Sequence, residues 1–385
     1  MKSSTALKKF PHIISEFSAV FHKEYEGQHR TASPLGAWML LAYSAVNHPA
    51  PSEKLLARLG CSTDEAKEIL NELLTNQPEV IASTVASWVN PEAQEVGSVQ
   101  RWHESVADVA PINFSIPEKD ELNEWTKKHS LGLMNEFPLD IDPDEFAALL
   151  ATMVATKIEW DKPFLVTPLA DMKNVWDQDK FLLEDEDDRI TFYEDETGLY
   201  AIHEAHNEDS SLSVFSVIAS SAEVSEVDVM AVARKVALDG NIENVSPRSL
   251  AGETSTITVE EYRTDTHKDK VLAILPAWRS ENKFEIGTVE SLAYRDSASR
   301  FNDFPMSMEA VQVCVAEYQK KGFEAAALST MLIGTRSVAR VSTQKKVTVK
   351  FDHPYAVVAV AHGNSVWNRL PVFDGWVAEA TEVKE

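Results

Sequence analysis

Residues 310–351, AVQVCVAEYQKKGFEAAALSTMLIGTRSVARVSTQKKVTVKF, carry two different kinds of sequence in succession. Val311, Val313 and Val315 alternate ahead of Tyr318, which is the period of a β-strand, and Cys314 and Ala316 on the opposite face predict burial on both sides. The charged break Gln319-Lys320-Lys321-Gly322 ends that strand. Beyond Gly322 small side chains dominate: three alanines from Ala325 to Ala327, then Ser329 and Thr330. A core strand needs side chains that fill space. Small residues beside a glycine instead let a segment leave a sheet, or slip between two existing strands without collision. The stretch reads as a strand and then a hinge.

The chain has 385 residues, 44% of them hydrophobic, enough for a large core. Its formal charge of −25 argues against nucleic acid or an anionic membrane surface as a partner. Cys61 and Cys314 are far apart, and Cys314 falls in a strand predicted to be buried, so both read as free thiols in a reducing compartment. The stretch Met1 to Phe21 has lysines at Lys2, Lys8 and Lys9 but no continuous apolar run and no small-residue cleavage pattern. No segment approaches the roughly 20 apolar residues of a membrane span. A soluble, cytoplasmic monomer is expected.

Leu7, Phe10, Ile13, Ile14, Phe17, Val20 and Phe21 recur at helical spacing opposite Lys8, Lys9, Glu16 and Lys23, predicting an amphipathic first helix. Ser33-Pro34 opens an almost wholly apolar helix from Leu35 to Val46, with proline where its missing N–H costs nothing. Ser62 and Glu65 fit a capping box ahead of Ala66, Ile69, Leu70, Leu73 and Leu74. Trp102 to Val109 reads as helix; Val80 to Val89, Leu212 to Ile218 and Val271 to Pro276 read as strands. Phe146 to Trp160 is apolar on both faces, as a strand inside a covered sheet should be, and Asp161-Lys162-Pro163-Phe164 closes it.

Signatures of catalysis are missing from the sequence: there is no G-x-S-x-G elbow, no P-loop, no G-x-G-x-x-G and no cysteine pair at zinc spacing. Asp140-Ile141-Asp142-Pro143-Asp144 starts like a calcium loop, but Glu145 and Ala151 stand where the loop needs glycine and glutamate. His203-Glu204-Ala205-His206 spaces its histidines by three rather than four and reads as a surface strand or turn. The acid run Glu184 to Asp188 reads as a solvated loop. No enzyme, cofactor or metal is expected.

Several motifs, in chain order, resemble the serpins. Lys320-Lys321-Gly322-Phe323-Glu324-Ala325-Ala326-Ala327 stands in the place of that family's Glu/Lys-Gly-Thr-Glu-Ala-Ala-Ala hinge. Lys157, Trp160, Pro163 and Phe164 match its Lys-Gly-x-Trp-x-x-Pro-Phe strand end, with Ile158 replacing the glycine. Phe351-Asp352-His353-Pro354-Tyr355 and Phe373-Asp374-Gly375-Trp376-Val377 resemble its two closing strands, the Ser33-Pro34 helix its buried helix, and Trp125 to Asp140 its approach to the central strand. Val271 to Pro276 with Trp278 resembles its step from a strand through proline into the next helix. The resemblance implies an α+β, serpin-like fold: a large central mixed β-sheet with additional sheets, about eight to nine helices and an exposed reactive-centre loop. Residues 1–385 would form a single domain, with hinge and loop over 322–345.

In function, the resemblance implies a suicide inhibitor whose loop is cleaved and then inserts into the central sheet. The reactive bond would lie about fourteen positions past the hinge glycine, at Arg336-Ser337, with Arg340 a second candidate. An Arg-Ser bond suits a trypsin-like serine protease, whose acidic pocket binds the guanidinium, or an arginine-specific cysteine protease. Inward-facing hinge residues must be small; Ala325, Ala327 and Ser329 comply and Phe323 does not, so a buried Phe323 requires a matching cavity. In the sheet-opening region, with Ser33 and Trp160, the family's asparagine and histidine are replaced by Thr152 and Gln312, which could hydrogen-bond to each other, and Gly36 replaces a serine. Arg340, Lys345 and Lys346 add basic charge to the loop. The alternative is a serpin-fold binding or structural protein that does not inhibit, a reading favoured by Phe323 and the missing secretion signal.

Overall fold

The computed structural model describes residues 5–93, 95–141, 148–185, 187–264, 269–301, 309–323 and 342–384. The chain begins with α1 (Thr5–Lys23), β1 (Arg30–Ala32), α2 (Pro34–Ala45), α3 (Glu53–Leu59), α4 (Thr63–Thr75) and β2 (Ile81–Val89). It continues through α5 (Gly97–Val106), β3 (Ile112–Asn113), α6 (Lys119–His129), β4 (Ala148–Thr156), β5 (Ile158–Glu159), β6 (Leu165–Pro168) and α7 (Lys173–Trp176). Next come β7 (Lys180–Glu184), β8 (Ile190–Asp195), β9 (Gly198–His206), β10 (Leu212–Ala219), α8 (Glu226–Asp239), β11 (Ile257–Thr264) and β12 (Lys270–Leu275). Last are β13 (Trp278–Phe284), α9 (Tyr294–Ala298), β14 (Gln312–Tyr318), β15 (Gly322–Phe323), β16 (Ser342–Lys350), β17 (Tyr355–His362) and β18 (Asn368–Val377). Among the described residues no helix is long and apolar enough to cross a membrane.

Local signals explain the helices that position the core. Ser33 caps α2 by accepting from the Gly36 amide, with Pro34 in the first turn, and all but one of the α2 residues are buried. Ser62 and Glu65 close the expected capping box on α4. Where Pro276 was expected to lead into a helix, Trp278 instead opens β13: Trp278, Ser280 and Phe284 turn inward while Glu281 faces solvent, a strand's alternation.

A six-stranded antiparallel sheet, in the order β1-β18-β17-β10-β9-β8, forms the structural base. Its central strands are buried on both faces and sort alternate residues into two cores. Val214, Ile218, Val357 and Ala359 face the main core with α1 and α2, whereas Phe215, Val217, Val358 and Val360 pack under α8. A buried polar chain ties these layers together. Arg30 Nε donates to His22 Nδ1 at 3.0 Å, so His22 Nε2 carries the proton it gives to Asp374 Oδ1 at 2.7 Å. Asp374 also accepts from Ser18, and Arg30 pairs with Glu226 at the start of α8. A five-stranded sheet, β11-β16-β12-β7-β6, completes the described sheets apart from the site itself, and in it β16 runs between β11 and β12.

His203 lies in β9, as a strand, but it is fully buried rather than at the surface, with Nε2 3.3 Å from Glu184. Glu184 ends β7 and is likewise buried, held by His203 and by Arg189 at 3.7 Å, so among the described residues the acid run is solvated beyond it, at Asp185 and Asp188. Both departures have one cause: a carboxylate buried at a strand end needs polar partners, and Arg189 and the His203 ring supply them.

The Phe373 to Val377 motif has a steric reason. Gly375 lies opposite Thr31 on one side and Val357 on the other, and a Cβ there would stand 2.2 Å from the Arg30 carbonyl oxygen and 2.8 Å from Thr31 Cα. Backbone on both contacts leaves nothing free to give way. Gly375→Ala is expected to destabilise the protein by about 1–3 kcal/mol, read as a lower midpoint in urea unfolding; an unchanged midpoint would show that β1 does not pack at this distance.

Candidate functional site

The expected central sheet is present as two hydrogen-bonded ladders rather than one. β3-β2-β4 form the first, with β2 and β4 paired antiparallel along their whole length. The second is β13-β14-β15-β5. Only Lys157 separates β4 from β5, so the same chain segment belongs to the first ladder below and to the second above.

At the top, β15 is the wedge between them. After Tyr318 the chain turns at Gln319 to Lys321 and comes back, so that Phe323 pairs with Tyr318 on one side and with Ile158 on the other, and Gly322 lies opposite Glu159. The Gln319 amide donates to the Gly322 carbonyl at 3.1 Å, the Trp160 amide to the Lys321 carbonyl at 3.0 Å, and the Phe164 amide to the Lys320 carbonyl at 2.9 Å. Trp160 Nε1 donates to the Gln319 carbonyl at 2.9 Å. Trp160 therefore sits at the top of the sheet beside the hinge. Its ring, with those of Phe164, Tyr318 and Trp278, forms one aromatic cluster under the turn; Trp278 and Tyr318 stack at 5.9 Å.

Phe323 has the cavity that a bulky hinge residue requires. It is buried, with its ring 6.3 Å from Trp278 and 6.5 Å from Phe373. Neither wall residue stood out in the sequence as part of the site; both come from strands distant in the chain, and only the folded register brings them to the hinge.

Below the wedge the ladders part. A cavity of about 220 Å³ lies between β4 and β14, reaching from Phe323 down to Phe301 and Tyr294 and under α6. Its walls are mostly apolar, with Val154, Val313 and Val315 among them. α6 is held over β4 by Leu122, Trp125 and Phe137, which pack on Trp88, Leu149 and Ala151.

The sheet-opening residues meet at the start of α2, not across the cleft. Thr152 Oγ1 donates to the Gly36 carbonyl at 2.8 Å. Gln312 accepts from the Ser33 amide at 3.1 Å and donates to the Ser33 carbonyl at 2.8 Å. Ser33 Oγ donates to the Val372 carbonyl at 2.8 Å. The Thr152–Gln312 bond considered from the sequence is absent because β4 and β14 are held apart, so each polar side chain bonds to the helix end behind it.

A second fastening holds the last residues of β14. Gln319 donates to the Glu382 carbonyl at 3.2 Å and accepts from the Lys384 amide at 2.9 Å, and Lys384 pairs with Glu317. Cys314 is buried on β14 and Cys61 is half-buried; neither forms a disulfide, and burial pushes both thiols up to about 12. Glu324, Ala325, Ala326, Ala327, Ser329, Arg336, Ser337 and Arg340 lie outside the described residues. Lys345 and Lys346 belong to β16, so the segment between hinge and sheet ends before Ser342 rather than at residue 345.

No family model and no curated protein sequence matches the chain. Solved structures do. Tengpin, a thermophilic serpin in its native state, is 17% identical over 96% of this chain and 94% of its own, with a TM-score of 0.66. Serpin48 of the insect Tenebrio molitor is 15% identical over 97% of this chain and 99% of its own, at 0.64. Human thyroxine-binding globulin in complex with thyroxine is 14% identical over 98% of this chain and 100% of its own, at 0.62. Over nearly its whole length, then, this chain has the serpin fold.

Proposed function

We propose that the chain is a single serpin-like domain acting as a suicide inhibitor of a trypsin-like, arginine-specific serine protease, with Arg336-Ser337 as the bond offered. The observation that carries this is the wedge: Gly322 and Phe323 already occupy the first two positions of a strand between β14 and β5, directly above a cleft of the same orientation.

The register supports the rest. Continued past Phe323 one residue at a time, the strand would set Ala325 opposite Thr156 and Ala316, Ala327 opposite Val154 and Cys314, and Ser329 opposite Thr152 and Gln312. The small residues would fall on the same face as Phe323, toward the core, and the one hydroxyl among them would arrive level with the two polar residues of the cleft walls. Cleavage after Arg336 would free this segment to add main-chain hydrogen bonds on both sides, and a protease acylated at Arg336 would be carried with it. Its catalytic serine forms an ester with the Arg336 carbonyl as the Ser337 amine leaves; distortion of the displaced protease prevents the water attack that would break that ester.

Thyroxine-binding globulin, which carries thyroxine in the solved complex, supports a second reading in which the fold serves binding alone. The side chain of Phe323 favours it, since a bulky residue seated between Trp278 and Phe373 anchors the hinge.

Incubation with trypsin separates the two. A covalent band near the summed mass on a denaturing gel is expected, and Arg336→Ala should abolish it. Clean cleavage with no adduct would favour the binding reading.

A guanidinium at residue 327 would enter the core face and cost several kcal/mol. Ala327→Arg is therefore expected to be cut at the wild-type rate, lose at least nine-tenths of the adduct and fail to show the rise in melting temperature that cleavage gives the wild type. An Ala327→Arg protein that still traps trypsin would show that this segment does not enter the sheet.

A further inference from the structure

Where the six-stranded sheet meets the end of β7 and the wedge ladder, the core holds a group of polar side chains. Ser216 of β10 lies directly opposite His203 of β9, and both point to the face that carries Val214 and Ile218 into the main core. Tyr355 of β17 shares that face, two residues before Val357, the Ser216 partner on the other side. From across the core come Tyr318 of β14 and Trp278 of β13, stacked at 5.9 Å. The Phe164 ring stands 5.6 Å from those of both His203 and Tyr318. His203, Ser216, Tyr318 and Tyr355 are fully buried, and Trp278 is 1% exposed. Asp161 borders the group: its amide bonds to the His206 carbonyl of β9, and it follows Trp160, whose ring is 5.1 Å from that of Tyr318.

Their polar atoms do not satisfy one another. Among the described residues eleven buried side-chain nitrogen or oxygen atoms have no hydrogen-bond partner, and six of them gather here: His203 Nδ1, Ser216 Oγ, Tyr318 Oη, Tyr355 Oη, Trp278 Nε1 and Asp161 Oδ1. His203 turns its other nitrogen to Glu184 at 3.3 Å, and Asp161 gives its other oxygen to Arg189. Trp278 Nε1 comes near enough to Tyr355 Oη to act on it, but not in hydrogen-bond geometry. Burial, and then the nearby Tyr355 and Glu184, push the pKa of the Tyr318 hydroxyl up, which places Tyr318 Oη close to both of them. A polar atom withdrawn from water and left unpaired is costly, and native interiors leave few of them. Six in one place call for a partner that the chain itself does not supply.

The kinds of atom decide what that partner is. Trp278 Nε1 can only donate, the Asp161 carboxylate beside Arg189 can only accept, and the hydroxyls of Ser216, Tyr318 and Tyr355 do both. A metal cation would answer the acceptors alone and an anion the donors alone. Water answers both. The space is of the same size: the cavity against Trp278, Val214 and Val357 measures about 10 Å³, close to what one water needs. We propose that this junction is a binding site for internal water, which bridges Tyr318 and Tyr355 to Ser216, His203 and Asp161 and so joins β14 to the six-stranded sheet. Tyr318 is the residue paired with Phe323, so the bridge fixes the last position of β14 before the turn at Gln319. The site is independent of the insertion reading, since every residue in it belongs to the protein before any cleavage.

The test uses the full chain and three substitutions that remove a hydroxyl and little else: Tyr318→Phe, Tyr355→Phe and Ser216→Ala. Loss of a hydroxyl that has no partner relieves an unpaired group, and the melting temperature rises. Loss of one that bonds to water breaks the bridge, and it falls. A fall of about 1–3 °C is expected in each variant. A crystal structure of the wild-type protein is expected to place ordered water within hydrogen-bond distance of Tyr318 Oη and of at least one of Ser216 Oγ and His203 Nδ1, and the structure of Tyr318→Phe to lose the water at the ring. Melting temperatures that rise or stay level in all three variants overturn the proposal. So does wild-type density that leaves these atoms without water, or that shows a metal ion or an anion in its place.

Discussion

Two facing strand edges, held one strand's width apart, set the character of this molecule. β15 pairs with β14 on one side and β5 on the other, so at the hinge the outer two stand two strand spacings apart, roughly 9.6 Å. Because β4 runs straight into β5, the separation imposed at the top is passed down the sheet, and the cavity below is its continuation. Among the described residues neither edge has a ladder partner below β15, and backbone groups withdrawn from water without partners are costly. A third strand between them would satisfy both edges and cover the apolar walls at once.

The polar residues at mid-cleft are arranged so that entry there breaks no bond across the gap. Thr152 and Gln312 both bond backward, to Gly36 and Ser33 at the start of α2. The helix end therefore fixes each edge separately, through its own backbone groups and through Ser33 Oγ on Val372. Neither edge depends on the other for position. Were a strand to enter, the bonds next to it would be those of the turn at Lys320 and Lys321, held by Trp160 and Phe164, rather than any bond across the cleft walls.

How much of the fold was legible in the sequence depends on the range over which each signal acts. The capped helices α2 and α4, the strands β2, β10 and β14, and the break at Gly322 were readable because cap, periodicity and turn chemistry are local. The burial of Glu184 and His203 was not legible, because their partners, Arg189 and each other, become neighbours only when β7 and β9 fold against one another. The β11 strand escaped notice for a different reason: Ile257 and Val259 alternate, but Glu260 and Glu261 interrupt the pattern, and an edge strand with one solvent face carries too weak an apolar signal to be separated from loop.

Phe323 shows why a departure from a family's pattern cannot be judged at its own position. In isolation, a phenylalanine where small residues prevail argues against insertion, since overpacking a core strand displaces its neighbours. In the fold, Trp278 begins β13 and Phe373 lies in β18, and the two rings leave a space that a small residue would not fill. Burial of an aromatic side chain contributes on the order of 2 kcal/mol in favour of the seated hinge. The same contact thus both starts the strand and resists its withdrawal. Since Phe323 is seated before any cleavage, the energy released on insertion would have to come from the residues below it, where the small side chains from Ala325 to Ser329 could contribute mainly through the backbone. The larger Met331 and Leu332 would reach the base of the cleft, where Phe301, Tyr294 and Leu139 line the space available to them.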